Sequence, residues 1–80
     1  MYAYQILSGI RTPSRDKLIQ LALGMNLELE EVQSVLKYSG NAPLYAHNRR
    51  DSIIIFAINK KTTVIDLNIL LDSKGENILG

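Results

Sequence analysis

The sequence predicts an all-α fold: a small bundle of about five helices, in which two tandem helical hairpins follow a short N-terminal helix. Three observations predict it. Apolar residues recur three and four positions apart along almost the whole chain, and no strand-like alternation is sustained. Glycines fall mostly at the ends of the apolar runs, where they stop helices. The stretch from Arg15 to Gly40 also recurs, without a gap, from Arg50 to Gly75.

The first helix is expected over Tyr2 to Ser8, with Gly9 as its stop because glycine tolerates the left-handed conformation. The second runs from about Arg15 to Met25. Pro13 and Ser14 open it, the Ser14 hydroxyl suits the free amides of the first turn, and Leu18, Leu21, Ala22 and Met25 form the expected inward stripe. The third runs from about Leu29 to Tyr38, with Leu29, Val32, Val35 and Leu36 inward and Gly40 as its stop. Glu30 and Glu31 occupy its first turn, where the helix dipole favours negative charge.

Asn41 to His47 reads as a loop, held out of helix by Pro43. A fourth helix begins after Asn48, with Asp51 three residues on in a capping-box arrangement, and continues to about Asn59. It is apolar nearly all round at Ile53, Ile54, Ile55, Phe56 and Ile58, the pattern of a helix sandwiched between neighbours or covered by a partner. The fifth begins after Thr63 and ends before Gly75, with Val64, Leu67, Leu70 and Leu71 inward.

The 35-residue repeat organises these elements. Six of its 26 pairs are identical, among them the Arg-Asp starts (Arg15/Arg50, Asp16/Asp51) and the closing glycines (Gly40/Gly75). Apolar patterning alone would not match those two features, so the repeat reads as two equivalent hairpins packed side by side. The period is close to that of helical-hairpin arrays of the tetratricopeptide type. Tryptophan is absent and two units are few for an array, so the reading is a local duplication within an ordinary bundle.

Composition narrows the function classes. A 46% hydrophobic, 21% charged chain of 80 residues is one folded domain and not a disordered tail. Without cysteine there is no disulfide framework, thiol nucleophile or cysteine zinc site. The longest uncharged apolar run, Ser52 to Ile58, is too short to cross a bilayer, and no secretory leader opens the sequence. The expectation is a cytoplasmic protein without membrane attachment. Net charge is only +1, but residues 1–17 carry Arg11, Arg15 and Lys17 against Asp16. Any nucleic-acid contact is therefore expected in that stretch.

The residues from Tyr2 through Gly9-Ile10-Arg11-Thr12-Pro13-Ser14, followed by the helix to Met25, resemble the phage-repressor helix-turn-helix family of the Cro/C1 (XRE) type. The stretch is similar to that family's third helix, its glycine turn and the Arg-x-Pro-Ser loop opening the fourth helix. Leu29 to Tyr38 would be the fifth. The resemblance divides the single domain into residues 1–40, the C-terminal part of a repressor-like domain, and 41–80, a helical-hairpin extension of the kind found in some bacterial members.

It implies a transcriptional regulator whose third helix reads the major groove of double-stranded DNA. Carried over by position, Tyr2, Tyr4, Gln5 and Ser8 are the exposed reading residues and Arg11 suits a phosphate, while Ala3 and Ile6 face inward. Gln5 has the clearest chemistry, because an amide can pair bidentately with adenine. The family's first two helices have no counterpart in the sequence, so DNA reading would need them supplied, and a homodimer is a further expected partner.

The rival reading is a helical interaction or dimerisation module that does not bind DNA, using the apolar fourth helix. No catalytic set, cofactor motif or metal site is read. His47 is the only histidine and has no cysteine to share a metal, the glycines form no phosphate loop, and no Ser-His-acid set stands out. Asn48-Arg49-Arg50-Asp51 could meet a phosphate or an acidic partner, but reads more simply as a capped helix start.

Overall fold

The computed structural model describes residues 14–80. They form four helices: α1 (Arg15–Gly24), α2 (Leu29–Tyr38), α3 (Arg49–Asn59) and α4 (Val64–Ser73). Among the described residues there is no strand. The four match the second to fifth helices expected from sequence to within a residue at each end, and the expected Tyr2–Ser8 helix lies outside the described residues.

Each helix starts and stops for a local reason. Backbone amides at the starts of α1, α3 and α4 donate to Ser14 Oγ (from Lys17, 3.2 Å), Asn48 Oδ1 (from Asp51, 2.9 Å) and Thr63 Oγ1 (from Asp66, 3.1 Å). At α2 the Glu28 amide donates to the Glu31 carboxylate at 3.2 Å. All four helices end in the same turn, in which an amide reaches back five residues. Leu27 donates to Ala22, Asn41 to Leu36, Thr62 to Ala57 and Glu76 to Leu71. That turn needs one left-handed residue, supplied by Asn26, Gly40, Lys61 and Gly75 with φ of 55°, 83°, 57° and 75°.

The arrangement of the hairpins is closed. α1 packs on α2 and α3 on α4, and across the halves α1 meets α4 while α2 meets α3. A side-by-side array would leave α1 and α4 apart. Exchange of the two halves instead maps each cross-contact onto the other, so the duplicated hairpins are related by a pseudo-twofold axis. The core lies along that axis, where Leu18, Ile19, Val32, Leu36, Ile54, Ile58, Leu67 and Leu71 are almost wholly buried.

The equivalence runs past the helices into the tails. Leu44 and Leu79, also 35 apart, both fold back and bury at 5% and 4% exposure. Gln33 brackets Leu44, its Nε2 donating to the Leu44 carbonyl (2.8 Å) and its Oε1 accepting from the Leu44 amide (2.6 Å). Asn68, at the matching place in α4, accepts from the Leu79 amide at 2.8 Å.

One expected face is turned, and one is resolved. In α1 the buried residues are Leu18, Ile19, Ala22 and Leu23. Leu21 is exposed and Met25 only half-buried, against the stripe expected for them. With α2 on one flank and α4 on the other, α1 buries the side that holds Ile19 and Leu23. In α3 the all-round apolar character resolves into Ile54, Ala57 and Ile58 buried, Ile53 and Ile55 half-buried, and Phe56 exposed.

Candidate functional site

The reading residues expected from sequence, Tyr2, Tyr4, Gln5, Ser8 and Arg11, lie outside the described residues. The described residues begin at Ser14, which has extended backbone, φ −64° and ψ 161°, and caps α1 directly. The first-turn cations of α1 are Arg15 and Lys17, and their situations differ. Lys17 is exposed. Arg15 is committed inward, to a polar cluster at the pseudo-twofold axis.

That cluster has four members, the two Arg-Asp pairs of the repeat, and each arginine binds the aspartate of the other half. Arg15 lies 2.9 Å from Asp51, and Arg50 lies 3.1 Å from Asp16. Both pairings are two-pronged: Nη1 and Nη2 of Arg15 reach Oδ1 and Oδ2 of Asp51, and those of Arg50 reach the two oxygens of Asp16. Two further N–H groups of each guanidinium serve that arginine's own tail. Arg15 donates to the carbonyls of Ala42 (2.8 Å) and Pro43 (3.1 Å), and Arg50 to those of Asn77 (2.8 Å) and Ile78 (3.2 Å). Finally the Tyr45 amide donates to Asp51 and the Gly80 amide to Asp16.

The electrostatics follow from these contacts. For both carboxylates burial alone would push the pKa up. At Asp51 the hydrogen bonds from Arg15 and the Tyr45 amide, with the charges of both arginines, outweigh it and hold the group below its ordinary 3.8. At Asp16 the Arg50 hydrogen bonds, the Gly80 amide and the same two charges do likewise. The cluster is therefore ionised and internally neutral at physiological pH.

Its chemistry is that of a clasp. An incoming anion would have to displace a carboxylate or two carbonyls from either arginine, so the cleft beside the cluster offers no free guanidinium. The neighbouring Arg49 is engaged as well, 3.5 Å from Glu76 and donating to the Lys74 carbonyl at 3.0 Å. The Asn48–Asp51 run thus acts as a capped helix start that ties α3 to the second tail. At the opposite end of the molecule Lys61 donates to the Asn26 carbonyl (3.0 Å) and to Glu28 (2.9 Å), joining the two interhelical turns.

The rest of the described surface is plain. His47 sits in the exposed connector with its ring 5.2 Å from that of Tyr45. Among the described residues no three His, Cys, Asp or Glu side chains are grouped to hold a metal ion, and no helix is long and apolar enough to cross a membrane. An open apolar groove runs along the outer side of α1, lined by Lys17, Gln20, Leu21, Gly24 and Met25, with Val64 of α4. At the equivalent place on α3 the exposed Phe56 ring stands under the Lys60 ammonium, 5.6 Å away.

Sequence reasoning found the Arg-Asp repeat but not its purpose. The signal was present in the matched pair at a fixed spacing of 35. What a linear reading lacks is the closure, which brings residues 34 and 36 positions apart into contact. No protein-family model matches the chain, and no curated protein or solved structure matches it.

Proposed function

We propose that the chain is a DNA-binding transcriptional regulator of the Cro/C1 repressor type, cytoplasmic and bacterial, or part of one, that reads the major groove with the Tyr2–Ser8 segment. The observation that carries this reading is the entry into the described fold. Ser14 caps a helix at Arg15–Gly24 and a second helix follows at Leu29–Tyr38, the order that the resemblance calls for.

In this reading the Gln5 amide pairs with an adenine edge, Tyr2, Tyr4 and Ser8 contact bases or sugar-phosphate oxygens, and Arg11 meets a phosphate. Arg15 is not free for that role, because its guanidinium is spent on Asp51 and the Ala42 and Pro43 carbonyls. The cations left near the reading segment are Arg11 and Lys17. Two copies would address two half-sites.

The test is binding of the full chain to a random-sequence duplex pool, followed by fluorescence anisotropy on the duplexes it enriches. Affinity is expected to fall steeply with salt. Arg11→Ala should reduce the slope of log K against log[salt] by about one, and Gln5→Ala should relax preference at one base pair. Absence of binding at low salt, with the family's first two helices supplied in fusion, would sink the proposal. The rival reading, a helical interaction module that does not bind DNA, would use α3, where Phe56 is the large apolar side chain left exposed.

A further inference from the structure

We propose that the outer face of α4, formed by Ile65, Ile69 and Asp72, is the seat for a basic amphipathic helix of another protein. This surface lies on a different part of the sequence from the Tyr2–Ser8 segment and goes beyond that function.

Ile65, Ile69 and Asp72 stand at i, i+4 and i+7, on the side of α4 turned away from the buried Leu67 and Leu71. Ile65 is 73% exposed and Ile69 63%. Scattered apolar residues on a surface need no explanation. Here the repeat supplies an internal control. The equivalent positions on α2 are Glu30, Ser34 and Lys37, all exposed, in a helix of the same length with the same end turns. The fold accepts an ordinary solvated face at this place.

Two of the three differences, Ile65 for Glu30 and Asp72 for Lys37, also disfavour α4 as an isolated helix, whereas serine and isoleucine are alike in helix propensity. Two β-branched apolar side chains stand in water where α2 carries polar ones. In the last turn α2 has a lysine, which suits the negative end of the helix dipole, whereas α4 has the aspartate that opposes it. Among the described residues no cation pairs with the Asp72 carboxylate. Asp66, by contrast, has a local reason, since it sits in the first turn as Glu31 does in α2.

Charge selects the occupant. An antiparallel pairing of α4 with itself that seats Ile65 on Ile69 sets Asp72 opposite Thr62, and a parallel one sets Asp72 against Asp72. Neither supplies an unengaged cation, since Lys61 beside Thr62 is held by Glu28 and the Asn26 carbonyl. Two isoleucines are also a narrow patch beside the roughly 800 Å² per partner of a stable interface between folded proteins. A single helix with two apolar side chains one turn apart, and a lysine or arginine one turn beyond, fits both the width and the charge. The acids at 66 and 72 disfavour DNA phosphates and anionic lipid at this face.

The probe is a synthetic alanine-based helix of about 15 residues, long enough to hold helical structure. It carries leucines at i and i+4 and lysines three residues outside each, so that either orientation can meet Asp72. A control peptide has glutamates in place of the lysines. Titrated into the isotopically labelled full chain, the lysine peptide should shift the α4 amides with a Kd below about 1 mM, and the glutamate peptide should bind about tenfold more weakly.

Ile65→Glu with Ile69→Ser installs the α2 residues, so it should abolish the shifts while leaving the melting temperature in place. Asp72→Lys should reverse the peptide preference, and it carries the test alone if the double variant fails to fold. Equal binding of the lysine peptide by wild type and the double variant would overturn the proposal. So would an absence of α4 shifts at millimolar peptide, or a concentration-dependent dimer of the chain that Ile65→Glu with Ile69→Ser abolishes.

Discussion

Asp51 and Asp16 do the same job in different surroundings, and the difference is measurable. The Asp51 side chain is 10% exposed and that of Asp16 26%. Arg15→Ala leaves a buried carboxylate with one backbone donor and strips two carbonyls of a partner, so it should cost about 2–3 kcal/mol in urea unfolding. Arg50→Ala leaves the more hydrated Asp16 and should cost about 1–2 kcal/mol. Acid should act through the same groups. Both carboxylates titrate below 3.8 in the folded chain, so the unfolded chain binds more protons in that range. Their contribution is whole above 3.8 and is lost as pH falls through the lower, folded values. Unfolding free energy measured from pH 6 down to 2.5 should therefore decline below about pH 4, and Asp16→Asn with Asp51→Asn should flatten that decline. Arg15, Asp16, Arg50 and Asp51 were visible in the sequence as a repeated dipeptide. Their pairing was not, because side-chain type and spacing do not say whether a duplicated unit stacks beside its copy or closes onto it.

At the scale of the element, the helices were legible because their ends are local. Ser14, Asn48 and Thr63 cap within three residues, and Gly40 and Gly75 accept the left-handed backbone that ends α2 and α4. Open space surrounds both glycines, so a methyl group meets no neighbour and only the backbone conformation resists it. Gly40→Ala and Gly75→Ala should each lower stability by about 1 kcal/mol, equally within error, as judged by thermal unfolding. Helix faces were less legible. α1 has apolar residues at 18, 19, 21, 22, 23 and 25, enough to draw two overlapping stripes, and its neighbours decide between them. The tail brackets were also hidden. Gln33 holds Leu44 from 11 residues away, and a lone glutamine on a helix carries no mark of that task.

For the molecule as a whole, the pseudo-twofold relation means that one hairpin design serves both sides of a single interface. α1 faces α4 as α3 faces α2, and each half gives an arginine and takes one. Such an arrangement tolerates divergence on the outside while the inside stays fixed, which is how α2 and α4 come to differ at their outer faces but agree at Leu36 and Leu71. The tails extend the same logic. Tyr45 and Gly80 are equivalent, each amide resting on the aspartate of a neighbouring helix start. From Tyr45 the chain needs only Ala46, His47 and Asn48 to reach Arg49, whose counterpart is Ser14. Three residues should therefore suffice to carry Gly80 back to Ser14, the extended cap of α1. Among the described residues the fold is a ring with one link open. A circular permutant of residues 14–80, joined by Ala-His-Asn and reopened between Tyr45 and Ala46 so that Asn48 still caps α3, should give a helical circular dichroism spectrum and a melting transition close to that of the parent segment.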